Sequence, residues 1–398
     1  MGRGFESLLR LLAVAADTEL IRAYEARTPR SRELFERFRA HLPGGETRTL
    51  TYYEPYPVVV ARGQGAILVD VDGNEYVDVL NNYTALVHGH AFPPIVEAIA
   101  EAARDGVAYP APHPRQLRWA ELLTERYPAV ELVRFTNSGT EAAILAARVA
   151  RRVTGRSRLL LFEGAYHGTG PEFAGEGGDV DRAPYGELPE LDDSVAAVFV
   201  EPFLGSGGVI EGDSEWLRAL RAEASLAGAV FVLDEVQSLR NAFHGVHAEL
   251  GLEPDLILMG KLVGGGIPVG AVGGSRDVLG ATAADRPGSF AHSGTFNGNP
   301  LAAAAGVACL EALDEEAIAA LNGRAAELAG RLGNAGAVVR RSGSIMQVDA
   351  PDSARLHLAL LVDGVYAAPR GMLNLSTAVT DEQLETVATA YARALARD

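Results

Sequence analysis

The sequence predicts an α/β protein: a large domain with a mostly parallel central sheet covered by helices, joined to a smaller α+β domain. Three observations carry this expectation. With 398 residues, 48% of them hydrophobic, the chain can build one large core and a second smaller one. From about residue 91 onward, short apolar runs alternate with helical patterns, as in sheets built from strand–helix–strand units. The runs are apolar throughout, which is the pattern of strands buried on both faces.

The elements follow in chain order. Leu20, Ile21, Tyr24, Leu34 and Phe35 recur at helical spacing around Thr28-Pro29, predicting docked N-terminal helices. Upstream, Leu8, Leu9, Leu11, Leu12 and Val14 are reminiscent of an export leader, but the stretch is short and Glu6 and Arg10 interrupt it, so a docked helix is expected there too. Short strands are expected at 58–60, 67–70 and 76–79, with turns at Gly63 and at Asp72-Gly73. Further strands are expected at 132–135, 159–162, 196–200, 230–233 and 256–259. Residues 173–178, rich in glycine, predict a flexible loop near the site. A helix starts just after Asn299-Pro300, with proline in its favoured early position. Helices at 301–312 and 315–333, strands near 338–348 and a closing helix from about 381 complete the chain. The expected division is a large domain at 61–305 and a smaller one formed by residues 1–60 and 306–398.

Composition excludes several function classes. A net charge of −17 leaves no electrostatic footprint for nucleic acid or an anionic membrane surface. No apolar run reaches the roughly 18 residues of a membrane span. The single cysteine, Cys309, cannot form an internal disulfide, which suits a reducing cytoplasm. The basic residues are 34 arginines and one lysine, Lys261. Arginine replaces lysine for charge, but a guanidinium stays protonated, whereas a desolvated ε-amine can lose its proton and condense with a carbonyl.

Three segments place candidate chemistry at strand ends. Asn137-Ser138-Gly139-Thr140-Glu141 follows one strand and opens an alanine-rich helix. Its amides and hydroxyls suit a phosphate dianion, and serve equally as an ordinary helix cap. The run from Phe231 ends in Asp234-Glu235-Val236-Gln237, where a carboxylate can pair with a heteroaromatic nitrogen or cap the next turn. Lys261 follows the strand at 256–259, beside Gly264-Gly265-Gly266, whose missing side chains would admit a ring or simply form a loop. Asp234 and Lys261 lie one strand–helix–strand crossover apart, so both can reach one pocket.

In this order the segments resemble the class III (ω-type) aminotransferases, enzymes of PLP fold type I. The likeness continues through Ala165-Tyr166-His167-Gly168, Glu201-Pro202 with the glycines of 205–208, and Gly294-Thr295-Phe296-Asn297-Gly298-Asn299-Pro300. It implies pyridoxal 5′-phosphate (PLP) as cofactor, bound covalently to Lys261. The resemblance assigns the phosphate to Ser138, Gly139 and Thr140, and the two faces of the ring to Tyr166 and Val236. It assigns the ring nitrogen to Asp234, the phenolic oxygen to Gln237, and support of the ring's surroundings to Glu201. For His167 an ordering role in its loop stays open. Thr295 is expected to reach the phosphate of a neighbouring subunit, implying a homodimer.

Within that family the chain is most similar to the branch of glutamate-1-semialdehyde aminomutases and β-amino acid transaminases. Leu42-Pro43-Gly44-Gly45-Glu46-Thr47-Arg48 resembles the β-transaminase segment whose arginine binds a substrate carboxylate. A planar fork suits bidentate capture of that group. Asn81-Asn82-Tyr83-Thr84-Ala85 and Ser238-Leu239-Arg240 point the same way, with Tyr83 lining the substrate pocket. Aminomutases carry an acid after an Ala-Pro pair; here Ala368-Pro369 precedes Arg370, which would suit a second carboxylate. The short stretch between Gln347 and Leu356 implies a more open substrate mouth. Expected partners are a small-molecule amino acid, taken to be a β-amino acid, and an oxo acid such as 2-oxoglutarate. The rival is a glutamate-1-semialdehyde 2,1-aminomutase or a specialised biosynthetic aminotransferase; no metal is expected.

Overall fold

A computed structural model describes residues 18–396, so the leader-like stretch at 8–14 lies outside the described residues. The described chain forms two compact units: residues through Phe92 with those from Leu321, and the residues from Pro93 to Ala320.

The second unit is built on a seven-stranded sheet. Its strands are β1 (Leu132–Thr136), β2 (Arg158–Phe162), β3 (Val180–Ala183), β4 (Val195–Val200), β5 (Val230–Asp234), β6 (Leu256–Gly260) and β7 (Gly270–Gly274). They lie in the order β1-β7-β6-β5-β4-β2-β3. The neighbours from β6 to β3 are parallel, and β7 runs antiparallel between β6 and β1. Alternation along each strand sends successive side chains to opposite faces. Leu159, Leu161, Val230 and Val232 pack with Ala142, Leu145 and Ala146 of helix α1 (Gly139–Thr154). Leu160, Phe162, Phe231 and Leu233 pack with Trp216, Leu217 and Leu220 of helix α2 (Ser214–Ala227). Both faces are therefore covered, which is why β4 to β7 are buried along their whole length.

The helices are bounded by their caps. Ser138 opens α1 by accepting the Glu141 amide, and left-handed Gly155 (φ 71°) closes it. Asp213 accepts the Glu215 and Trp216 amides at the start of α2, and Gly228 (φ 67°) ends it. The expected helix after Asn299-Pro300 spans Pro300–Glu311, with Asn299 capping the Ala302 amide at 2.9 Å.

Two strands of this sheet escape a reading of the sequence. β3 is an edge strand carrying Asp181 and Arg182 exposed, so it lacks an apolar run. β7, Gly-Ala-Val-Gly-Gly, has the composition of a loop. Its glycines answer to neighbours: a Cβ on Gly273 would collide with Val130 and Met259, and one on Gly270 with the Ser138 carbonyl. The glycine run at 264–266 is also a packing device, since a Cβ on Gly265 would strike the Ala305 carbonyl. Within the glycine-rich stretch at 173–178, Phe173 is buried against Phe199 at 5.2 Å between ring centroids.

The first unit holds the helices Thr18–Arg27 and Pro29–Arg39, meeting at Thr28 as the Thr28-Pro29 break predicts. A four-stranded sheet joins Val60–Gln64, Ile67–Asp70, Glu75–Asp78 and Val365–Tyr366. A three-stranded sheet joins Val338–Ser342, Ile345–Asp349 and Met372–Asn374. The first strand starts later than expected and runs through Gly63. The turn falls instead at Gly65 (φ 55°), which exchanges two backbone hydrogen bonds with His90. Gly63 is glycine because the His90 ring packs where its Cβ would lie.

Gly270 brings the helix-opening segment close to the sheet edge, so Gly270→Ala should lower stability by about 1–3 kcal/mol, as overpacking does. Thermal unfolding checks this; a melting temperature equal to wild type would contradict it.

Candidate active site

In an open α/β sheet, ligands sit beyond the carboxyl ends of the strands. That edge gathers every predicted cofactor residue of the second unit except Thr295. β1 ends at Thr136 and delivers Ser138, Gly139 and Thr140; β2 delivers Tyr166 and His167; β4 delivers Glu201; β5 ends on Asp234; β6 hands over to Lys261. β5 and β6 are neighbours, with Asp234 paired to Leu258 in register.

Asp234 is buried and both its oxygens are used. Oδ2 lies 2.7 Å from His167 Nδ1, and Oδ1 accepts the Val236 amide at 3.0 Å. Burial disfavours protonation of His167, but the hydrogen bond and charge of Asp234 outweigh it, so the imidazole pKa is raised. His167 thus ties its loop to the buried carboxylate. Its Nε2 is buried without a hydrogen bond among the described residues.

Glu201 is buried one strand away. Its carboxylate accepts the Tyr166 amide at 3.0 Å and the Gly205 amide at 3.1 Å, which fixes the loop carrying the aromatic ring. Burial pushes its pKa up to about 7, with the Asp234 charge adding to the rise and His167 opposing it. Lys261 is half-buried beside these acids. Burial lowers its pKa, while the charges of Asp234 and Glu201 hold it back. Its φ of 46° is a left-handed conformation that non-glycine residues adopt only when their surroundings impose it.

The remaining groups shape a slot. Val236 packs between Gly139 and Gly260, at both of which a Cβ would touch its methyl groups. Gln237 fills the space where a Gly205 side chain would sit, and its Oε1 is buried without a hydrogen-bond partner among the described residues. Thr140 Oγ1 accepts the Thr169 amide at 3.2 Å. The opening amides of α1 have no partner within the helix. Tyr166 keeps 44% of its surface exposed. Thr295 is also exposed, on a loop tied to the start of α1 by Asn137 Nδ2 donating to Asn297 Oδ1 at 2.8 Å. A helix N-terminus with hydroxyls, a buried carboxylate, an amine of lowered pKa and an amide end in need of a partner together fit PLP. Among the described residues, no group of three His, Cys, Asp or Glu side chains could hold a metal ion.

The predicted substrate residues belong to the first unit; Arg48 and Tyr83 line one pocket, and the charge of Arg370 is felt at Tyr83. Arg48 Nη1 donates to Asn82 Oδ1 at 2.9 Å, and the Tyr83 hydroxyl donates to the Leu50 carbonyl at 2.7 Å. Burial raises the Tyr83 pKa, and the positive charges of Arg370 and Arg48 oppose the rise. Arg48, Asn82 and Tyr83 line a pocket of about 270 Å³ whose other walls include Leu50, Tyr53, Leu80, Leu86 and Tyr366.

This pocket rests on a feature that residue spacing does not announce. Asn81, Asn82, Tyr83 and Thr84 all have positive φ (48°, 48°, 57° and 74°), a left-handed turn built without glycine. Such residues cost on the order of 1 kcal/mol each or more. Buried groups hold the turn: Asp78 Oδ1 accepts the Leu80 and Asn81 amides at 2.7 and 2.9 Å, and Asp78 Oδ2 meets His90 Nε2 at 2.6 Å. Asn374 Nδ2 donates to the Leu80 carbonyl at 2.7 Å, and Asn81 Nδ2 donates to the Asn374 carbonyl at 2.9 Å. The sole hint in the sequence is the Asn81-Asn82 pair, since asparagine tolerates this conformation best after glycine.

Fold and site define a PLP enzyme of fold type I. The family model for class-III aminotransferases matches residues 51–173 and 186–395, and the chain belongs to that family. It is 37% identical to the β-phenylalanine transaminase of Variovorax paradoxus, across 93% of this chain and 94% of that one. It is 41% identical to the glutamate-1-semialdehyde 2,1-aminomutase of Myxococcus xanthus, across 71% and 72%. Among solved structures, a transaminase with PLP bound superposes with a TM-score of 0.89 at 34% identity, covering 93% of this chain and 98% of that one. The chain is thus a PLP-dependent aminotransferase.

Because Glu201 titrates near 7 in the fold against 4.5 ordinarily, folding takes up a proton there. The stability this contributes is complete below pH 4.5 and is lost as pH rises through about 7. In cofactor-free protein, Glu201→Gln should remove that loss, so melting temperatures should shift in the variant's favour across this window. A wild-type-to-variant gap that is constant with pH would contradict the assignment.

Proposed function

We propose that the protein transfers the amino group of a β-amino acid carrying an apolar or aryl side chain to an oxo acid such as 2-oxoglutarate. The observation that carries this reading is Arg48, bonded to Asn82 beside Tyr83, at a pocket whose other walls are mainly leucine and tyrosine, with the charge of Arg370 also felt at Tyr83. A guanidinium captures a carboxylate, and apolar walls take up a side chain. Kinship with a β-phenylalanine transaminase supports the same substrate class.

When bound, PLP supplies an aldehyde that accepts the amino group and a pyridine ring that takes up an electron pair. The roles of the chain's own residues follow from their positions. Ser138, Gly139 and Thr140 bind the phosphate at the opening of α1. Tyr166 and Val236 enclose the ring. Asp234, held by His167 and the Val236 amide, keeps the pyridine nitrogen protonated. Gln237 meets the phenolic oxygen with its buried amide, and Glu201 fixes the Tyr166 loop. Lys261 anchors the cofactor; once displaced, its Nζ takes the proton from the amine-bearing carbon of the substrate. Burial suits it to that task by favouring the neutral amine. The donor's oxo acid leaves before the acceptor enters, so kinetics are ping-pong.

The working form is a homodimer in the cytoplasm, with Thr295 reaching the phosphate of the neighbouring site. Exposure of Thr295 and of Phe296 (58%) supports a partner surface, and a lone cysteine, the buried Cys309, suits a reducing compartment.

The second reading, an aminomutase, is favoured by the 41% identity to one such enzyme. It would need no acceptor, and Arg370 stands where an acid is expected for it. The test is a spectral screen of the holoenzyme with α-, β- and ω-amino acids, followed by 2-oxoglutarate. An aryl β-amino acid should change the cofactor spectrum and 2-oxoglutarate should restore it. Arg48→Ala should raise the donor KM by about 10- to 100-fold, the worth of a charge-assisted hydrogen bond. A response confined to a semialdehyde or a diamine would defeat the transaminase reading.

A further inference from the structure

We propose that Asn82 is a positioning residue for carboxylate recognition: the left-handed turn at 81–84 presents its amide so that Arg48 is held in one orientation with its charge uncancelled. The inference rests on the reading that Arg48 binds the substrate carboxylate.

The turn is costly: Asn81 and Thr84 are buried in it, but packing does not account for its exposed second residue. Asn82 is exposed, and its bond to Arg48 Nη1 is a surface hydrogen bond that returns little stability. Yet four consecutive residues take the left-handed conformation, and a buried aspartate and a buried asparagine are committed to holding them there. The turn grips the segment of Arg48 twice. Asn82 holds the guanidinium, and the Tyr83 hydroxyl holds the backbone two residues on, at Leu50. An exposed arginine otherwise samples many rotamers, and ordering it on binding weakens affinity. Fixing it beforehand removes that loss.

The chemistry of the partner matters as much as its place. Among the described residues, Arg48 is paired with a neutral amide oxygen and has no ion pair. An aspartate at 82 would hold the same geometry but cancel the charge. Asparagine therefore combines orientation with an available positive charge, and leaves the rest of the guanidinium fork to the ligand.

Asn82→Asp keeps the shape and removes the available charge; Asn82→Gly keeps the left-handed turn and removes the anchor. Both should fold, Asn82→Asp with a melting temperature close to wild type because the site is exposed, and Asn82→Gly at or above it because glycine relieves the strained position. The probe is 3-phenylpropanoate, a carboxylate without an amino group, titrated calorimetrically into the holoenzyme. Asn82→Asp should weaken its binding by about tenfold or more, and Asn82→Gly by a smaller factor of about three to ten. The donor KM should rise in parallel with kcat nearly unchanged, whereas the KM for 1-phenylethylamine, which lacks a carboxylate, should not move. Wild-type binding of the probe by either variant, alongside weakened binding by Arg48→Ala, overturns the role of Asn82. If Arg48→Ala also binds like wild type, the carboxylate reading itself falls and the proposal falls with it.

Discussion

The site depends on one buried carboxylate. A charge at the carboxyl edge of an otherwise apolar sheet survives only if its oxygens are satisfied. Asp234 meets this with His167 on one oxygen and the Val236 amide on the other. Each bond recruits a different segment. The first draws the loop after β2 over the end of β4 and β5; the second sets Val236 between Gly139 and Gly260. The helix-opening segment and the lysine are thereby brought to the same edge. Glu201 repeats the logic one strand away by binding the loop amides of Tyr166 and Gly205. Two buried acids hold down the pKa loss that burial would otherwise impose on Lys261.

The first unit solves a comparable problem with backbone strain. Arg48 and Arg370 are not buried, so geometry rather than desolvation would supply the selectivity proposed for them. Asp78 and Asn374 use buried hydrogen bonds to hold a turn that the chain would not otherwise adopt. The result is a rigid display of Asn82 and Tyr83 beside Arg48, at the rim of an apolar pocket. Backbone strain persists where the surroundings over-determine it, and here they do.

Much of this was legible from residues alone. The apolar runs that became β2, β4, β5 and β6 declared themselves because strands buried on both faces need no polar alternation. Lys261 stood out because arginine had taken every other cationic position. Hidden elements were those whose residues answer to distant partners. β7 reads as a loop because its glycines are set by Val130, Met259 and Ser138. Gly63 reads as a turn because nothing nearby in sequence reveals the His90 ring against it. The clamp of Asp78, His90 and Asn374 joins positions up to 294 residues apart, and no local pattern encodes that.

Lys261 is the proposed attachment point of the cofactor. With only one lysine in the chain, borohydride reduction of the holoenzyme followed by peptide mass mapping reads this directly. A single reduced cofactor adduct on the peptide containing Lys261 is the predicted result. An adduct confined to the N-terminal amine, with the Lys261 peptide unmodified, would contradict it.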